Sequence, residues 1–145
     1  MKIKRAIRWL LVIFWLCLTI YLSQQAGTES AATSGWLARQ IMRITRFFGI
    51  NVHYSLLHAF LRKFAHFCVH FVLAWLTYRA LFVSYKVRMN AIVGCFLICC
   101  TAAIFDEVVQ NVSPGRAAMI FDALLNLFGV ATGALIGILT EKTTK

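Results

Sequence analysis

Asp106, Glu107 and Asp122 are three of only five acidic residues in a chain of 145, and all lie in or beside long apolar runs. Other groups able to do chemistry accompany them at a regular offset. His66 and His70, Asp106 and Gln110, and Asp122 and Asn126 are each four apart. Residues at i and i+4 are neighbours on one side of a helix, so each pair presents two polar groups to one face. Glu107, one step beyond Asp106, points away from that face, toward a neighbouring helix or the headgroups. Lys63, and Arg116 in the turn NVSPGRA, supply cationic partners. Histidine beside carboxylates can relay protons or act as acid and base, while Lys and Arg can hold an anion. Glu107, Asp122 and His66 are therefore the candidate catalytic groups. Lys63, Asp106, Gln110, Arg116 and Asn126 are the candidate ligand-binding groups.

Two plainer uses of these residues compete. His66, His70, Asp106 and Asp122 are all ligand types for a divalent ion, but HxxxH without an accompanying HExxH is a weak metal signal. No cofactor is expected, and an ion-paired site ranks ahead of a divalent metal. The layer could also be structural: Lys63 and Arg116 neutralise the acids, and Gln110 and Asn126 bind helices together at about 0.6 kcal/mol per interhelical hydrogen bond. Such weak bonds are a poor reason to keep so many charges in lipid, where ionisable groups normally face a partner or a watery cavity.

The elements that carry these residues are set by composition. The chain is 61% hydrophobic and 14% charged, with a mean hydropathy of +0.76. That is too little polar sequence to cover a soluble core of this size. A membrane span takes about 17–25 apolar residues, and four spans are expected, over residues 9–22, 60–82, 89–110 and 118–140. The first follows a basic cluster and is expected to be an uncleaved anchor rather than a signal peptide. Residues 23–35 read as a polar linker. In residues 35–48, Leu37, Ile41, Ile44 and Phe48 share one helical face and Arg39, Arg43 and Arg46 the opposite one. This is the pattern of an amphipathic helix, lying in the membrane interface or packed on the bundle.

Pro114 and Gly115 break the chain before the last span, in which Gly129, Gly133 and Gly137 form a small-xxx-small stripe for close helix packing. The five cysteines sit in apolar runs and read as small hydrophobes. His53 and His58 read as interfacial or loop residues. No internal repeat is present, so residues 1–145 form one all-α membrane domain, a polytopic helical bundle.

The net charge of +10 does not point to nucleic acid, because the basic residues stand at the ends of apolar runs, where they anchor helices in headgroups. With the N-terminus in the cytoplasm, that side holds nine Lys and Arg and the other holds six, namely Arg39, Arg43, Arg46, Arg62, Lys63 and Arg116. The positive-inside rule favours this orientation, with both termini cytoplasmic. The second span then begins outside, the third ends there and the fourth begins there. All three bring their polar residues to one outer layer.

The segments LRKFAHFCVHF and FDEVVQNVSPGRAAMIFDALLNLFGVATG resemble the VanZ-like family of small bacterial membrane proteins. That family has a Lys and His near the start of one span, then D/E-E-x-x-Q, a Pro-Gly-Arg turn, and D-x-x-x-N followed by Gly. The matching positions are Lys63, His66, Glu107, Gln110, Pro114, Gly115, Arg116, Asp122, Asn126 and Gly129, within residues 60–140. Arg62 stands where the family often has an acidic residue, and His70 where it often has Tyr. The resemblance implies a multi-pass protein of the bacterial cytoplasmic membrane and an association with resistance to teicoplanin, a glycopeptide acting on cell-wall precursors outside the membrane. The expected partner is a membrane lipid or lipid-linked envelope precursor, bound or modified in an outward-facing polar pocket. A non-catalytic interaction protein, docking a protein partner or a second copy through the glycine stripe and amphipathic segment, is the alternative. The same residues suit binding and catalysis alike.

Overall fold

The structure is a computed structural model that describes residues 2–24, 27–112 and 120–141, with side chains described from residue 31 onward in the second helix. It contains five helices: α1 (Lys2–Gln24), α2 (Gly27–Phe47), α3 (Tyr54–Tyr85), α4 (Arg88–Val112) and α5 (Ile120–Thr140). No strand occurs among the described residues. Four of the helices, α1, α3, α4 and α5, are long and apolar enough to cross a membrane. The chain is a multi-pass helical bundle.

The helices run further than the apolar spans because helical hydrogen bonding continues through the basic flanks. At 32 residues, α3 is about 48 Å long at roughly 1.5 Å per residue. That exceeds the roughly 30 Å of hydrocarbon, so its ends reach beyond the apolar layer. Lys86 closes α3 in the left-handed conformation (φ 56°), its N–H donating to Phe82 O at 2.8 Å, and Arg88 opens α4 two residues later. Gly49, at φ +74°, turns the chain after α2 and donates to Arg46 O at 3.0 Å. Glycine adopts that backbone without a Cβ penalty.

The centre of the bundle is α3, which touches each of the other four helices. Its interior face buries Leu73, Ala74, Tyr78 and Leu81 against Cys95 and Cys99 of α4 and Val130 and Ala134 of α5. The cysteines are free. The closest approach is between α3 and α5, along the glycine stripe. A Cβ on Gly129 would lie 2.5 Å from Phe67 O, and one on Gly133 would run into the Phe71 carbonyl. Only glycine lets the two backbones come so near. Facing outward, Leu10, Phe14, Leu97, Ile104, Leu124 and Leu135 are exposed, as lipid-facing side chains are.

The residues that read as a linker are partly helical: α2 starts at Gly27. Ala31, Ser34, Gly35 and Ala38 fall on one narrow edge, and that edge packs on α3. Ala38 is fully buried, and the site of a Gly35 Cβ lies 2.8 Å from Tyr54 Oη. Small residues that signal flexibility in composition serve here to bring two helices together. The other faces of α2 remain open, with Leu37, Ile44 and Phe47 exposed. The helix is thus both packed along one edge and amphipathic on the rest. His58, expected at an interface or in a loop, lies within α3 and fastens this contact, with Nε2 2.8 Å from Ser34 Oγ and 3.2 Å from Ala31 O.

The ends of the helices alternate. At one end Glu141 accepts from Arg8 Nη1 at 2.7 Å and from Arg79 Nε at 3.0 Å, and Arg8 also donates to Arg79 O at 2.8 Å. Nearby Trp9 Nε1 donates to Ser84 Oγ at 3.1 Å. The start of α1, the ends of α3 and α5 and the start of α4 therefore share one side. Midway, Trp15 Nε1 donates to Val69 O at 2.9 Å. The opposite side gathers the polar layer.

Candidate functional site

At that opposite side the geometry converges on a single atom, Asp106 Oδ2. Gln110 Nε2, one turn along α4, donates to it at 2.8 Å, and Asn126 Nδ2 of α5 approaches at 3.3 Å. From α3 come His70 Nε2 at 3.6 Å and His66 Nδ1 at 3.7 Å. With protons on those nitrogens, both rings point donors at the same oxygen. From α1, Ser23 Oγ donates to the backbone carbonyl of Asp106 at 3.2 Å. Four helices thus supply one carboxylate with its surroundings, and the fours-spaced pairs are what aim them. Asp106, Gln110 and Asn126 are all buried.

The other candidates have different places. Glu107 turns toward α5, where its Oε1 accepts from Asn126 Nδ2 at 3.0 Å. Asp122 is buried in the first turn of α5, and its Oδ1 has no hydrogen-bond partner among the described residues. Lys63 extends to α5, where its Nζ sits 4.2 Å from the centroid of the Phe121 ring. Arg116 and the Pro114–Gly115 turn lie outside the described residues.

A cavity of about 210 Å³ opens between α1, α2, α3 and α4 over this layer, and His66, His70, Asp106 and Gln110 contribute to its wall together with Ser23 and Arg62. Arg62 is a functional candidate that the residue-by-residue reading passed over. Its Nε is buried without a hydrogen-bond partner, and it lines the same space as the histidines. The signal was available: Arg62, His66 and His70 are spaced by four and share one face of α3. Ser23 and Thr19 also line the cavity, and they too are spaced by four on one face of α1.

A second, apolar groove of about 590 Å³ runs between α1 and α4 past Leu16, Leu97 and Phe105. It meets the polar cavity at Thr19, Ser23 and Asp106, which border both.

Chemically, the site is a carboxylate held by amide donors with two imidazoles beside it, opening on a cavity that a guanidinium also faces. It can hold a polar or anionic group and pass a proton between Asp106 and either ring. Among the described residues, His70 Nδ1, Arg62 Nε, Asp122 Oδ1 and Asn126 Oδ1 have no hydrogen-bond partner, and neither do Thr77 Oγ1 and Tyr78 Oη deeper in the bundle. Buried polar groups are nearly always hydrogen-bonded, so the larger share of these atoms singles out the layer around Asp106. Among the described residues no group of three His, Cys, Asp or Glu side chains is arranged to hold a metal ion.

Neither the curated proteins nor the solved structures provide a significant match. The VanZ/LLP1 family model does match, over residues 8–141. The matched stretch starts and stops at Arg8 and Glu141, the two residues that bond across the bundle, and it contains α3, α4 and α5 with the whole polar layer. A match of that extent shows that the chain belongs to the VanZ/LLP1 family.

Proposed function

We propose that this VanZ-like protein lies in the bacterial cytoplasmic membrane with both termini inside, and that its polar cavity receives the headgroup of an envelope lipid or lipid-linked precursor from the outer leaflet. The observation that carries this reading is the cavity of about 210 Å³ with Arg62, His66, His70, Asp106 and Gln110 on its wall. Arg62 faces an anionic group, joined by Lys63 and by Arg116 from the turn. Asp106 and its two histidines hold or move a proton at the bound headgroup. Glu107 and Asp122 position the layer or serve as further acid/base groups, and Gln110 and Asn126 orient the ligand. An outward layer suits the family's association with teicoplanin-type resistance, since that drug and its target precursors are outside the membrane.

The test is a set of alanine variants at Glu107, Gln110, Arg116 and Asp122, with Arg62→Gln and His66→Gln, in cells lacking the chromosomal copy. Lipid photocrosslinking to the purified protein and the envelope or glycopeptide phenotype would be scored together. Variants that insert normally should lose both. Full retention of both by all variants would show that the layer has no such function.

The paired groups favour a second reading, in which Asn126 bridges Asp106 and Glu107 simply to brace α4 against α5 and the protein serves as a non-catalytic assembly partner. A brace satisfies its own polar atoms, whereas this layer leaves His70 Nδ1, Arg62 Nε, Asp122 Oδ1 and Asn126 Oδ1 without partners among the described residues. Co-purification of a stoichiometric protein partner, unaffected by the variants above, would favour the brace.

A further inference from the structure

The side of α2 turned away from the polar cavity carries a separate feature. Arg39, Arg43 and Arg46 lie at i, i+4 and i+7, on one face, and with Met42 and Tyr54 they surround a cavity of about 420 Å³. Among the described residues no acidic side chain contributes to its wall. Among the described residues none of the three arginines is in an ion pair, and their one side-chain hydrogen bond is from Arg43 Nη1 to Gln40 Oε1, at 3.4 Å. Three like charges around one space repel unless an anion sits between them. Glu141 serves both Arg8 and Arg79, and no carboxylate among the described residues serves these three. Trp36 and Phe47, 57% and 86% exposed, stand on the same side of α2 as the arginines, and exposed aromatics with arginines are how a helix seats itself at a membrane surface.

We propose that Arg39, Arg43, Arg46 and Tyr54 form an anion site that takes the phosphate of an acidic membrane phospholipid, independent of the polar cavity. Guanidiniums match phosphate oxygens two at a time. The Tyr54 hydroxyl adds a neutral donor, and Trp36 and Phe47 enter the adjacent lipid. The occupant is a lipid because the site lies on a helix whose remaining open face, Leu37 and Ile44, is also apolar and exposed.

The test compares the full-length protein with R39Q/R43Q/R46Q, each reconstituted in nanodiscs of zwitterionic lipid doped with phosphatidylglycerol, and counts retained acidic lipid by native mass spectrometry. Inorganic phosphate is titrated in a parallel arm. The wild-type protein should retain acidic lipid in preference to zwitterionic lipid, and each arginine removed should weaken retention about fivefold. Should the triple variant fold poorly by thermal melting, R43Q alone is read. Binding of inorganic phosphate without lipid enrichment would keep the anion site but assign it to a free anion. Equal acidic-lipid retention by wild type and variant would overturn the proposal. Loss of lipid here with an intact cavity phenotype would separate this site from the one above.

Discussion

Replacing Gly133 with alanine would force α3 and α5 apart. The new Cβ would stand 2.9 Å from the Phe71 carbonyl carbon and 3.0 Å from its Cα. The Phe71 carbonyl oxygen stands closer still, and ordinary contacts fall at about 3.5–4.0 Å, so the helices must separate by roughly 1 Å or more. What stands in the way is backbone, with no rotamer to escape into. Overpacking of this kind costs about 1–3 kcal/mol. The better helix propensity of alanine returns up to about 1 kcal/mol.

The same chain supplies its own control. A Cβ on Gly94 would meet Leu81 Cδ1 at 3.2 Å, the free end of a flexible side chain that can turn aside. Gly94→Ala should therefore be neutral, or stabilising by up to about 1 kcal/mol. The two variants, made separately and unfolded by SDS titration in mixed micelles, should differ by about 1–3 kcal/mol, with Gly133→Ala the weaker. The displacement also reaches Asn126, about 10 Å along α5, so bridging of Asp106 and Glu107 should loosen with it. Finding Gly133→Ala as stable as Gly94→Ala would refute the close approach of these helices.

Asn126→Ala removes the donor shared by Asp106 and Glu107 and should cost about 1–3 kcal/mol in the same titration; no measurable loss would mean that the bridge does not form in lipid. Asp122→Asn should leave stability within about 0.5 kcal/mol, because it removes a charge without breaking a bond from Oδ1 to any described residue, yet should abolish lipid photocrosslinking. Parallel loss of both signals would place Asp122 among the bracing residues. Glu141→Ala leaves Arg8 and Arg79 without their common carboxylate and should lower stability by about 1 kcal/mol. Added salt should narrow that difference in thermal melts, and an effect unchanged by salt would count against the ion pairs.

Much of this was legible in the sequence because two physical periods govern it. Apolar runs of spanning length specify four helices, and polar pairs spaced by four specify which side of each helix faces inward. That is why His66, His70, Asp106, Gln110 and Asn126 meet as their spacing suggests. Arg62 obeys the same rule, as do Thr19 and Ser23. The bond of Ser23 has no local sign, because it goes to a backbone carbonyl 83 positions away. Residues 27–35 misled because small residues favour both linkers and tight helix contacts, and only the partner surface on α3 decides between them. Arg8 and Arg79 read as separate anchors, since nothing local records that both are neighbours of Glu141.

The bond between Arg8 and Glu141 joins positions 133 apart, and that separation has a bearing on how the bundle is built. Helices enter a membrane in the order in which they are made, so α1 enters before α5 and before its own carboxylate partner. Until residue 141 is synthesised, the guanidiniums of Arg8 and Arg79 lack the counter-charge of Glu141. The clamp on α1 is therefore set only after all four spans have been made. A chain cut short before Glu141 would insert its four spans and still leave the first of them without its lock.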